Sequence, residues 1–148
     1  MNRRGLTLIE LLVTLTIIGI LANFAVPALG ALRRRAEAAR IVADVHAIRV
    51  AALDHYVGFA TYPPAGQWGV VPPTLVSSLP QGFGFAFHEV EYRWERWELP
   101  DGLPGDPSQT ELPGLTVRAS DVILLAALRS LYKGRTFGSS SEITFVLE

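Results

Sequence analysis

The sequence predicts an α+β protein in which one long N-terminal helix is packed on a small antiparallel sheet. Three observations carry this. The front of the chain is a continuous apolar run that passes into apolar positions at three- and four-residue spacing, the periodicity of one helix. Further on, apolar and polar residues alternate, as in half-buried strands. The 13 Gly and 10 Pro fall mostly after residue 57, which suits a loop-rich head rather than a coiled coil. A length of 148 residues allows one modest domain and not two.

Half of the residues are apolar (49%) and only 18% are charged, so where the apolar residues sit decides what the chain is. The net charge of −1 offers no bulk attraction for nucleic acid. With no cysteine, disulfides and thiolate metal sites are excluded and the redox compartment is left open. No internal repeat or low-complexity tract marks the last ninety or so residues.

The apolar residues concentrate between Leu6 and Leu32, where the one charge is Glu10. As a helix this stretch spans roughly 40 Å, enough to cross a hydrocarbon core of about 30 Å. Arg3 and Arg4 precede it and Arg33, Arg34 and Arg35 follow it. A short leader with two arginines stays on the cytoplasmic side, which puts the rest of the chain outside the cytoplasm. A cleaved secretory signal fits less well. Its apolar stretch would be shorter, would lack a carboxylate, and would not run on into an amphipathic helix.

A carboxylate inside a bilayer costs about 2.5–3.5 kcal/mol unless partnered or hydrated near the interface. No cation within the segment can serve Glu10. A cut between Gly5 and Leu6 would create one, an amine at the same membrane depth, and on a neighbouring chain it would form a pair that fixes axial register. Losing Arg3 and Arg4 leaves 11 basic residues against 14 acids, a side-chain charge of −3.

The stretch Gly5-Leu6-Thr7-Leu8-Ile9-Glu10-Leu11-Leu12-Val13, continuing through Ile17-Ile18-Gly19-Ile20-Leu21-Ala22 to Pro27, resembles the class III signal of type IV pilins and type II secretion pseudopilins. The resemblance covers about the first thirty residues and the general layout of the rest. It implies that prepilin peptidase cuts after Gly5 and N-methylates Leu6, and that Glu10 serves filament assembly. Leu6 stands where Phe is most usual in the family. The resemblance also implies a kink or melted stretch of the stem at Pro27, as proline's missing donor would favour, and Gly19 lowers helix propensity nearby. The implied partners are other pilin or pseudopilin subunits, the peptidase, an inner-membrane assembly platform and the bilayer. The implied location is the bacterial inner membrane, single-pass, with the head in the periplasm. A short head without a cysteine-closed loop leans towards a pseudopilin or minor subunit.

On this reading residues 1–5 are a leader, 6–32 the membrane-spanning and assembly half of the stem, 33–59 its amphipathic half and 60–148 the head. In the amphipathic half Ile41, Val45, Ile48, Ala52, Tyr56 and Phe59 form one apolar stripe expected to face the sheet. Arg33, Glu37, Arg40, Asp44 and Arg49 take other faces, with Glu37 and Arg40 spaced to pair. The arginines are placed to meet lipid headgroups or neighbouring stems. Tyr62-Pro63-Pro64-Ala65-Gly66 breaks the helix, and residues 73–80 predict a helical turn ended by Pro80. Phe83, Phe85 and Phe87, then Val90, Tyr92 and Trp94, alternate as two strands with their aromatic face to the stem. Residues 101–114 read as a loop, 115–119 as a strand and 142–147 as a last strand. Ser120 or Asp121 caps a helix over 122–132 that stops at Gly134.

No catalytic constellation emerges, and an enzyme is not expected. His46 and His55 lack the spacing of a helical ligand pair, and His88 stands apart, so all three read as surface histidines. Asp101, Asp106 and Glu111 form an oxygen-rich loop of the kind calcium takes, and the family's major pseudopilins hold calcium in their heads. Their spacing fits no calcium loop, so no metal or cofactor is assigned. Ser139-Ser140-Ser141 has no nucleophile elbow and no histidine after it. Arg93 and Arg96 lie among stacking aromatics, but Glu91, Glu95 and Glu98 would repel phosphate. The rival to a filament subunit is a monomeric, signal-anchored extracytoplasmic binding module.

Overall fold

The computed structural model describes residues 7–104 and 106–147. Its first element, α1, is one helix from Leu8 to Phe59, assigned without a break through Gly19 and Pro27. Then come strands β1 (Ala86–Phe87), β2 (Val90–Glu98) and β3 (Glu111–Ala119), helix α2 (Val122–Leu131), and strands β4 (Thr136–Gly138) and β5 (Glu142–Val146). All pairings are antiparallel in the order β1-β2-β3-β5-β4, so α2 carries the chain from β3 to the edge strand β4, and β5 returns to pair between them. This is the expected α+β arrangement of a long apolar helix and an antiparallel sheet.

The core forms where the stem's stripe meets the inner faces of the sheet and of α2. Ile41, Val45, Ile48 and Ala52 are buried as the spacing required, joined by Ala38 and Ala51, whose small side chains allow close approach. From β2 come Tyr92 and Trp94, from β3 Leu115 and Val117, from β5 Ile143 and Phe145, and from α2 Leu124, Leu125 and Leu128. The stripe stops short of its predicted end. Tyr56 is half-exposed and stacks on Tyr62, and Phe59 is exposed against His55, because the chain turns away at Ala60 in a left-handed conformation (φ 56°). The expected Glu37–Arg40 pair is replaced: Arg40 lies 4.0 Å from Asp44, with its guanidinium over the Phe87 ring.

Four head elements depart from expectation. The strand predicted around Phe83–Phe87 shrinks to two residues. Gly66 and Gly69 donate to the carbonyls of Trp94 and Tyr92 (2.9 Å each), so the loop after the stem takes the rest of the β2 edge and covers it. β3 begins at Glu111, inside the expected loop, and tolerates Pro113. The Pro113 carbonyl accepts from Leu147 at 3.0 Å, so its nitrogen faces the same side, where the β5 ladder has ended and no donor is needed. Helix α2 ends at Leu131, with Tyr132 in extended backbone as its cap, before Gly134 is reached. β4, too short to show alternation, was not foreseen. The turn at 72–79 is present, with Leu75 and Leu79 packed inward.

The aromatic face of β2 does meet the stem. The Tyr92 hydroxyl donates to Asp44 Oδ2 at 3.0 Å, and burial, reinforced by the Asp44 charge, raises the phenol well above its ordinary value. A phenol raised in the folded state contributes stability that is intact below about pH 10, its unfolded value, and fades as pH climbs above it. Tyr92→Phe is therefore expected to flatten the fall in melting temperature between about pH 9 and 11, while costing about 1.5 kcal/mol at pH 7 through the lost bond. Tyr62, also raised by burial, leaves a residual slope. Identical pH slopes in thermal melts of parent and variant would show that Tyr92 is not the group responsible.

Candidate assembly and processing site

The sequence puts its one membrane carboxylate in the first turn of α1, and the structure shows what holds it there. Thr7 is the N-cap. Its hydroxyl accepts from the Glu10 amide at 3.3 Å, and Glu10 Oε2 accepts from the Thr7 amide at 2.9 Å and the Thr7 hydroxyl at 2.8 Å. This reciprocal capping box satisfies orphan donors that lipid could not. Its signature, Thr-x-x-Glu before an apolar run, was legible and was missed. Both bonds from Thr7 fall on Oε2, and among the described residues Oε1 has no hydrogen bond. The box uses only Thr7 and Glu10, so a cut after Gly5 leaves it intact.

Around this carboxylate the helix presents apolar side chains on every face. Leu8, Ile9, Leu12 and Leu15 are more than half exposed, as are Ile18, Leu21 and Phe24 further along. An 18-residue window of α1 has a mean hydropathy of 2.2, and none of it is buried against the rest of the chain. Its two interior threonines are satisfied within the helix, Thr14 Oγ1 donating to Leu11 O and Thr16 Oγ1 to Leu12 O, both at 2.8 Å. Such a surface needs a bilayer or other helices to cover it.

Gly5 and Leu6 lie outside the described residues. Gly19 and Pro27 are helical, so neither melts the helix here. The weaker candidates have other employment. Glu111 accepts from Thr61 Oγ1 and the Tyr62 amide at 2.8 Å each and lies 3.6 Å from Arg96, fastening the exit of the stem to the start of β3. Asp106 accepts from the amide and hydroxyl of Ser108, which hold its carboxyl below the usual range, and Asp101 is exposed. Among the described residues no three His, Cys, Asp or Glu converge as metal ligands.

The remaining groups of chemical interest are dispersed. His46 and His88 are exposed, and His55 Nδ1 lies 3.0 Å from Thr61 O. Ser139 and Ser141 bond each other across a turn. Arg93 pairs with Glu95, and Arg96 with Glu98 and Glu111. The Trp68 ring has the guanidinium groups of Arg93 and Arg118 over it, 4.6 and 4.4 Å from its centroid.

Residues 1–22 match the model of the prokaryotic N-terminal methylation motif. They are the class III prepilin signal of type IV pilins and pseudopilins, which marks the chain as a pilin-like substrate of prepilin peptidase. The signal and the apolar α1 together are those of a membrane-anchored protein. No curated protein and no solved structure matches the chain with significant similarity.

Proposed function

We propose that the protein is a subunit of a type IV pilin-like filament, a pseudopilin of a type II secretion system or a minor or major pilin. Prepilin peptidase cuts it after Gly5 and methylates Leu6. Residues 6–32 span the inner membrane, residues 33–59 carry the amphipathic half of the stem, and residues 60–148 form a head in the periplasm. Assembly joins stems, with Glu10 Oε1 meeting the Leu6 amine of a neighbour, and an assembly platform draws the subunit from the bilayer. Gly19 and Pro27 are where the stem would yield when packed in a filament.

The observation that carries this reading is the methylation signal standing on a helix whose apolar exposure does not end with the span. Ala36, Ala39 and Ala43, then, one heptad on past the exposed His46, Val50, Leu53 and Val57, recur at three- and four-residue steps on the face turned away from the head, and all are exposed. That is the spacing by which helices pack side by side. A membrane anchor alone needs nothing apolar beyond the headgroups. Mass spectrometry of the protein purified from cells with an active peptidase is expected to show a mature chain beginning at methylated Leu6. An intact Met1 terminus there would defeat the proposal.

A monomeric anchored binding module is the second reading. The capping box favours it, because Glu10 then has a partner within its own chain.

A further inference from the structure

We infer that the membrane-proximal end of the head is a docking surface for an anionic bilayer, formed by Val122 and Ile123 of α2 with Arg33, Arg34 and Arg35 of the stem. The inference rests on the anchoring of α1 in a membrane, and not on filament assembly.

Position comes first. The exposed apolar run of α1 ends at Leu32, which puts the next three residues at headgroup level. Ile123 and Ala127 of α2 line one groove with Ala31, Arg34 and Arg35, so this part of α2 sits beside the end of the span. Composition comes second. Helix α2 buries Leu124, Leu125 and Leu128 against the core, yet Val122 is 57% and Ile123 60% exposed on its other side. A helix covering a core in water would be polar there. Apolar residues next to arginines are the pattern of segments that lie in the membrane interface.

Charge names the partner. Among the described residues none of Arg33, Arg34 and Arg35 has an ion pair, and Arg129 and Lys133 add exposed cations along the same helix and just beyond it. Of the neighbouring acids, Asp121 is taken up as the α2 cap by the amides of Ile123 and Leu124, and Glu89 accepts from Ser120. Glu37, on the stem itself, is half-buried, and against these three carboxylates stand the five cations Arg33, Arg34, Arg35, Arg129 and Lys133. The positive balance at this end complements anionic headgroups. The continuity of the patch with the span makes lipid its first neighbour.

The absence of cysteine allows single spin labels on the full chain, held at one chain per lipid nanodisc. Labels go at Ile123→Cys, at Ile18→Cys within the span, and at Val76→Cys. Val76 is two residues from Ser78, which bonds Asp54, about 30 Å further along the stem than Arg34. In discs containing phosphatidylglycerol, the Ile123 label is expected to be at least about threefold less accessible to a water-soluble nickel chelate than the Val76 label, a factor set by burial in the interface. Arg34→Gln with Arg35→Gln is expected to remove most of that protection, and so are discs of phosphatidylcholine alone. Equal access at Ile123 and Val76 overturns the docking surface. Protection indifferent to lipid charge or to the arginines overturns the anionic partner. Protection seen only with several chains per disc assigns the face to a second copy and overturns the proposal. The Ile18 label reads insertion independently, and its exposure would overturn the anchoring itself.

Discussion

Glu10→Val is expected to reduce sheared filament recovered from cells by more than about a hundredfold, while the head keeps its melting temperature. Stranding one member of a buried ion pair costs about 3–5 kcal/mol, and each 1.4 kcal/mol is about tenfold in an equilibrium. The capping box makes Val alone ambiguous, because it removes both a charge and a helix cap. Glu10→Gln separates them: Gln at this position still closes the box with Thr7 but carries no charge. Thr7→Ala does the reverse, losing about 1 kcal/mol of capping and keeping the carboxylate. A filament subunit should fail with Val and with Gln and assemble nearly normally with Thr7→Ala. The same amount of filament from Glu10→Gln as from the parent would end the intersubunit reading and leave Glu10 as a cap in an anchored monomer.

The geometry is compatible with one carboxylate serving both as a cap and, on the proposed reading, as an assembly contact. Thr7 occupies Oε2 and leaves Oε1 without a hydrogen bond among the described residues. If subunits assemble as proposed, the box would act beforehand by fixing the rotamer of Glu10, so that less side-chain freedom would be lost when a neighbour's amine arrives.

What was legible in the sequence follows from how far each signal reaches. The stem showed itself because apolar periodicity accumulates over many turns, and Ile41, Val45 and Ile48 landed in the core. Val90, Tyr92 and Trp94 were equally clear, since alternation over a nine-residue strand is hard to mimic. The start of β3 was not. Pro113 and Gly114 read as loop residues, and only the ladder's end beside Pro113 and the Trp97 indole lying over Gly114 make them acceptable in a strand. The fates of Tyr56 and Phe59 depended on a left-handed Ala60, which no local rule favours over Gly58. For the site, residue type was enough to single out Glu10, but its Thr7 partner required reading the first turn as a capping box. Glu111 was seen as a loop acid because its real partners, Thr61 and Tyr62, lie about fifty positions earlier in the chain.

Trp94→Ala is expected to be the most damaging single change in the head. Trp94 is fully buried, its indole Nε1 donates to Pro63 O at 2.8 Å, and its own carbonyl receives the Gly66 amide. One residue thus fills the space between sheet and stem and ties down the chain as it leaves the helix. Removing the indole costs about 3–5 kcal/mol in lost packing. For a head of this size that lowers the melting temperature by about 15–30 °C. Trp94→Phe keeps most of the volume and loses the bond to Pro63, for about 1–3 kcal/mol. Near-ultraviolet circular dichroism in detergent follows the head without the signal of the stem. Membrane insertion should be unchanged in both variants, because the apolar span touches none of these groups. An alanine variant within about 1 kcal/mol of the parent would mean that the loop after the stem is held elsewhere, by Glu111 on Tyr62 and Thr61, and that the sheet does not need Trp94 to meet the helix.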